Sequence, residues 1–111
     1  MEKTINKIVG FIVRKIEPEK IILFGSMATG SRNIHSDIDL LIVVDNAGFK
    51  ESYAELVENY AKTFSLKADV LIFERVEFEE ASLNPNSFIG TVVKSGKNIY
   101  EKEGSKFWQS Q

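Results

Sequence analysis

The sequence predicts an α+β fold, a small mixed β-sheet of three to four strands flanked by helices. Three observations predict it. Residues 2–16 carry Ile5, Ile8, Val9, Ile12, Val13 and Ile16 at i, i+3, i+4, i+7 spacing, which gives a helix with one apolar stripe. Residues 20–24 (KIILF) and 37–44 (DIDLLIVV) are short runs of branched apolar residues, the kind that fill strands. The second run is followed by a helical pattern over 50–65 and a third apolar run over 67–73 (KADVLIF). Strand, helix, strand in succession predicts a right-handed crossover between parallel neighbours.

Each element follows from its residues. Pro18 stops the first helix, because proline has no N–H to continue it. Gly25 ends the strand 20–24; Ser26 to Thr29 then suits one helical turn, and Gly30 to Ser36 a polar loop. Past its aspartates the strand 37–44 is apolar on both faces, which predicts a central position in the sheet. Asp45, Asn46 and Gly48 make a turn. The helix over 50–65 sets Tyr53, Leu56, Val57, Tyr60, Ala61 and Phe64 on one face. Residues 74–86 are acidic and less regular, with a short helix near 77–82. Residues 87–95 predict a helix with Phe88, Ile89, Val92 and Val93 inward, closed by Gly96 and followed by an edge strand at 98–101.

With 111 residues, the chain can bury roughly two thirds of its unfolded surface, enough for one core. A single domain over residues 1–101 is expected, followed by a polar tail, 102–111, that carries Phe107 and Trp108. The tail aromatics suit either anchoring of a partner or packing on the domain's own surface. A composition of 43% hydrophobic and 27% charged residues is that of a globular domain. Fourteen basic residues against sixteen acidic ones leave a net charge of −2. That gives no electrostatic reason for nonspecific binding to nucleic acid. There is no cysteine and one histidine, His35. Disulfides, thiolate metal sites and multi-histidine zinc sites are excluded, so a metal would need oxygen ligands; His35 itself reads as a solvated loop residue. No apolar run approaches the roughly 20 residues of a membrane span. Lys7, Arg14 and Lys15 interrupt the first apolar stripe, unlike a signal peptide. The expected location is the cytoplasm.

The strand order brings chemistry together. Ser26 follows the C-terminal end of the strand 20–24, and Asp37 and Asp39 open the strand 37–44. These ends meet if the two strands are antiparallel. The third strand, parallel to the second, starts at the same sheet edge, with Asp69 among its first residues. Gly25, Ser26, Asp37, Asp39 and Asp69 should therefore converge. Two carboxylates two residues apart on a strand point to one face. Three carboxylates can hold two divalent cations about 4 Å apart, the clamp used for in-line phosphoryl displacement. Without a cation they would repel one another and raise their own pKa values. The Ser26 hydroxyl and the N–H groups after Gly25 suit phosphate oxygens. Asp37 alone could simply be a turn residue, but Asp39, between Ile38 and Leu40 in a strand, is disfavoured without a purpose. Gly25 and Gly30 share the GxxxxG spacing of a Walker A loop, yet Ser31 and Arg32 stand where that loop needs Lys and then Ser or Thr.

The pattern Gly25-Ser26, ten residues, Asp37-x-Asp39 resembles the signature of the polymerase-beta-type nucleotidyltransferase superfamily. The string LFGSMATG…SDIDLLIV is similar to that of its minimal nucleotidyltransferase (MNT) branch. The similarity runs from Ile21 through Asp69-Val70-Leu71 and more loosely to Tyr100. It implies that Asp37, Asp39 and Asp69 hold two Mg²⁺ ions, with Asp69 also activating the attacking hydroxyl. It implies that Gly25 and Ser26 hold the phosphates of a nucleoside triphosphate, and that AMP is transferred from ATP. Many relatives carry basic residues directly after Gly-Ser and just before the second glycine; here those positions are Met27 and Thr29. Arg32 could compensate from the loop, or could be a solvated arginine. A chain of this length leaves no room for an acceptor domain, so the acceptor should come from another polypeptide or a second copy. In the resembling family such domains pair with a HEPN-type toxin as antitoxins, and some transfer AMP to a toxin tyrosine. That is the leading expectation. Two alternatives are a small-molecule hydroxyl as acceptor, with Glu74, Glu77, Glu79 and Glu80 lining its pocket, and a catalytically weak module that neutralises a partner by contact.

Overall fold

The computed structural model describes residues 2–25, 37–46 and 48–103. Helix α1 (Glu2–Ile16) leads into β1 (Lys20–Phe24). Strand β2 (Ile38–Val44) is joined by α2 (Lys50–Lys62) to β3 (Ala68–Glu74). Two short helices follow, α3 (Arg75–Ser82) and α4 (Phe88–Ser95), and β4 (Lys97–Glu101) closes the described chain. The four strands form one sheet in the order β3-β2-β1-β4. β1 is antiparallel to β2 and to β4, and β2 is parallel to β3. The α+β mixed sheet and its crossover are as the sequence predicts.

Strand alternation splits the sheet into two faces. Ile21, Leu23, Ile38, Leu40, Ile42, Val44, Val70 and Ile72 pack against α1 and α2, whose Ile8, Ile12, Val57 and Ala61 are fully buried. Phe11 of α1 stacks on Tyr60 of α2 with ring centroids 4.0 Å apart. On the opposite face a smaller cluster joins Ile22, Leu41 and Val43 to Phe78 of α3 and to Ile89 and Val92 of α4. Among the described residues, fourteen buried side chains form the first cluster and six the second. At about 1.5–3 kcal/mol for each fully buried aliphatic side chain, the α1/α2 face carries most of the stability.

Several boundaries and placements differ from expectation. The second helix stops at Lys62 rather than 65. There the Thr63 N–H turns to the Tyr60 carbonyl and Ser65 takes a left-handed φ of 60°. β3 starts at Ala68 and runs to Glu74, one residue later than expected. α3 starts two residues early because Glu74 and Glu77 form a reciprocal capping box. Phe88 and Val93 are not inward: they are 53% and 47% exposed. A two-turn helix against a narrow cluster buries one i, i+3 pair, here Ile89 and Val92. Among the described residues no helix is long and apolar enough to cross a membrane.

Candidate active site

The antiparallel β1–β2 register sets Phe24 opposite Asp39, and the parallel β2–β3 register sets Asp39 beside Asp69. These three residues form one row across the sheet, on the face of the smaller cluster. Asp37 lies two residues before Asp39 and so on the same face. Ile38 and Leu40, on either side of Asp39, are 1% exposed in the larger core. The backbone that presents Asp39 is therefore clamped from the opposite side. Asp39 itself is half-buried and Asp69 exposed.

Gly25 closes the row. Its φ is +75°, a conformation that L side chains rarely adopt. A Cβ at this position would also overlap the Asp39 carboxylate. Glycine is thus required both by the turn and by the close approach of the chain to Asp39.

The electrostatics are those of uncompensated acid. Burial, the charges of Asp69 and Asp37, and a hydrogen bond with Asp69 together push the Asp39 carboxyl above its ordinary value of 3.8. Asp37 has a cation nearby, Lys67 Nζ at 3.7 Å, but both side chains are well exposed, so the pair is weak. The donor set, three aspartate oxygens on one face in mutual repulsion, fits a hard divalent cation. Among the described residues no three such side chains are gathered around a single point. The structure therefore brings Asp37, Asp39, Asp69 and Gly25 to one sheet edge without closing a coordination shell. Ser26, Met27, Thr29, Arg32 and His35 lie outside the described residues, as do Phe107 and Trp108.

The four glutamates expected to line an acceptor pocket lie elsewhere. Glu74 ends β3, five residues beyond Asp69, about 16 Å along the strand. Glu77 accepts from Lys50 Nζ at 2.6 Å and from the Glu74 N–H at 3.0 Å. Glu79 accepts from Arg75 at 3.3 Å. Glu74, Glu77 and Glu79 serve the α3 cap and its ion pairs, and Glu80 is exposed on α3. Sequence reasoning passed over Lys67, Phe24 and Leu71 at the site's rim. Their signal was positional: Lys67 directly precedes β3, Phe24 ends β1 opposite Asp39, and Leu71 follows Asp69 by one alternation of the strand.

The chain is similar to several known proteins. A protein of Methanocaldococcus jannaschii, inferred to be a protein adenylyltransferase, is 25% identical over 98% of this chain and 79% of its own length. A second protein of that organism with the same inferred activity is 36% identical over 51% of this chain and 59% of its own length. Among solved structures, a toxin–antitoxin with AMP-PNP superposes with a TM-score of 0.60 at 22% identity, covering 93% of this chain and 77% of that one. An inferred nucleotidyltransferase from Sulfolobus solfataricus gives 0.54 at 23% identity, over 93% and 82% of the two chains. A variant of the MntA–HpeT toxin–antitoxin gives 0.63 at 18% identity, over 93% and 77%. These structural likenesses carry the fold. The profile of the polymerase beta nucleotidyltransferase family matches residues 6–105, nearly the whole chain and every residue of the Gly25–Asp39–Asp69 row, and by that match the chain belongs to this family.

Proposed function

We propose that this nucleotidyltransferase is of the minimal branch and moves AMP from ATP to a hydroxyl of a partner protein, a HEPN-type toxin tyrosine, and so acts as an antitoxin. The observation that carries the reading is the row of Asp39 and Asp69, with Asp37 beside them and Gly25 held open against Asp39. Carboxylates that repel one another on a clamped backbone cost stability, and they are accounted for by a cationic ligand. The relatives inferred to be protein adenylyltransferases support a protein acceptor.

The residues divide the chemistry as follows. Asp37, Asp39 and Asp69 would hold two Mg²⁺ ions, which supply Lewis-acid charge to the phosphates. Gly25, Ser26 and Arg32 bind and orient the triphosphate. Asp69, the most exposed of the three, faces the acceptor and receives its hydroxyl proton. The acceptor oxygen bonds to the α-phosphorus of ATP. The bond from that phosphorus to the bridging oxygen of the β-phosphate breaks, and pyrophosphate leaves. Clamping from the larger core keeps the Asp39 carboxylate in place through the displacement.

The test uses ATP labelled at its α-phosphate, Mg²⁺ and the protein encoded beside this chain. Label is expected on a tyrosine of that protein and is expected to vanish with Asp39→Asn. A tight complex with no label, and full neutralisation by Asp39→Asn, would instead establish neutralisation by contact alone. Met27 and Thr29, in place of basic residues, are the feature that favours this second reading. A small-molecule acceptor draws no support from Glu74, Glu77 and Glu79, whose positions and partners are remote from the aspartates.

A further inference from the structure

The two outer strands of the sheet are built differently. β4 (KNIYE) is five residues long and carries Lys97, Asn98 and Glu101. Its ladder with β1 has a register shift at Ile21/Ile22, and Glu101 is bridged to Lys20 at 3.3 Å. Shortness, charge and irregular pairing are the devices that stop an edge from recruiting another strand. β3 (ADVLIFE) is longer and regularly paired: seven residues, no lysine, proline or glycine, charges only at Asp69 and Glu74, and an unbroken register with β2 from Ala68 to Glu74.

The phase of β3 is fixed by one bond. The Ile38 N–H donates to the Lys67 carbonyl at 3.0 Å. N–H and C=O of one strand residue point to the same side, and the side alternates along the strand. Residues 67, 69, 71 and 73 therefore bond to β2, while Ala68, Val70 and Ile72 present their N–H and C=O groups outward. Among the described residues nothing pairs with those groups. The next outward N–H, that of Glu74, is taken by the Glu77 carboxylate, so the open edge ends there. Along it, on the face of the aspartate row, lie Asp69 and then Leu71, which is 38% exposed.

We infer that the β3 edge binds the acceptor: an extended segment of the partner protein adds as a fifth strand along Ala68–Ile72, with its hydroxyl residue beside Asp69. The inference rests on the AMP-transfer reading above and adds how the substrate is held. Neighbouring residues on adjacent strands set their Cβ atoms about 5 Å apart on one face. A tyrosine beside Asp69 thus rises over the row of carboxylates, and the next residue on that face lies on Leu71. Charge defines the segment further. Asp37, Asp39, Asp69 and Glu74 surround this edge, with Lys67 at its start, so the segment is neutral or basic around its hydroxyl. The main chain supplies the affinity and the register supplies the selectivity.

The experiment uses the full chain, Mg²⁺, ATP labelled at the α-phosphate, and a short synthetic peptide. The peptide alternates valine and threonine around one tyrosine, with lysine at both ends. A control peptide is N-methylated on alternate backbone nitrogens. The first peptide, and not the control, is expected to slow amide exchange at Ala68, Val70 and Ile72 by about tenfold or more and to accept AMP on its tyrosine. Ala68→Pro removes one outward N–H at the first strand position, where proline is tolerated. Leu71→Lys adds a charge at an exposed position and repels the basic segment. Each is expected to lower transfer to the peptide by about tenfold with ATP binding unchanged. Transfer without protection of the three amides, or unchanged transfer in both variants, overturns the inference and leaves the AMP-transfer reading intact. Protection that precedes the peptide and grows with chain concentration assigns the edge to a second copy; protection at all dilutions assigns it to the chain's own residues. Either overturns the inference. Protection by the peptide in a chain that neither binds ATP with Mg²⁺ nor labels any hydroxyl upholds the docking edge and rejects the AMP-transfer reading.

Discussion

The two ends of the β2–β3 pair treat acidic side chains in opposite ways. At the C-terminal end, Asp45 and Glu79 share Arg75 at 3.4 and 3.3 Å, and Glu77 takes Lys50 at 2.6 Å. Lys50 and the Glu74 N–H hold the Glu77 carboxyl below its ordinary value. At the N-terminal end Asp39 and Asp69 face one another, and the Asp39 carboxyl is pushed up by burial and by its neighbours. One chain neutralises the acids at one end with basic residues and leaves Asp39 and Asp69 at the other to mutual repulsion. Among the described residues the acids at the α3 end are ion-paired, whereas Asp39 and Asp69 are not and Asp37 has only the exposed Lys67 at 3.7 Å.

The sharpest test of this contrast is Asp39→Asn. It is expected to lower AMP transfer by a factor on the order of a thousand, while raising the melting temperature of the ligand-free chain. Removing one like charge from a cross-strand pair contributes roughly 0.5 kcal/mol, about 2–4 °C for a domain of this size. A lower melting temperature would show that Asp39 serves the fold. Gly25→Ala should act in the opposite sense on stability. A left-handed alanine costs about 1–2 kcal/mol and its Cβ displaces the Asp39 carboxylate, so thermal denaturation and transfer assays should both decline. At the paired end, Arg75→Ala is expected to shift the melting temperature little, because its partners are substantially exposed and screened. It should leave transfer unchanged and lose its effect in high salt.

The smallest effect is in pH. The folded-state pKa of Asp39 is raised, so the native chain binds more protons than the unfolded one as pH rises above 3.8. Its contribution is full below that value and lost as pH rises through the raised pKa. Glu77 is lowered from 4.5; its contribution is present above that value and lost as pH falls through the lowered pKa. Melting curves against pH for the wild type, Asp39→Asn and Glu77→Gln should therefore give difference plots of opposite slope. Parallel slopes would remove the contrast between the two ends.

Much of this was legible in the residues because periodicity and alternation are local. The stripe Ile8–Ile12–Ile16 defines α1, and branched apolar runs define β1 and β2. The meeting of Gly25, Asp37, Asp39 and Asp69 was readable because one antiparallel and one parallel neighbour fix which strand ends adjoin. What sequence did not reveal depends on distant partners. Phe64 continues the apolar period of α2, yet the helix stops where Ser65 turns left-handed. Phe88 looks like core, but only Ile89 and Val92 reach Ile22 and Leu41. The glutamates of α3 read as a possible acidic pocket until Lys50, twenty-seven residues away, was seen bonded to Glu77.

The alternation along β2 has a consequence for how such a chain can change over generations. Ile38, Leu40 and Ile42 point into the larger core, while Asp37 and Asp39 point to the other face. At the start of β2 chemistry and architecture alternate, and from Leu41 and Val43 onward the odd positions belong to the smaller core. Drift at Asp37 and Asp39 can silence catalysis without loosening the scaffold or the open β3 edge. A lineage can therefore slide from enzyme to pseudoenzyme while keeping its grip on a partner, and pass through no unfolded intermediate on the way.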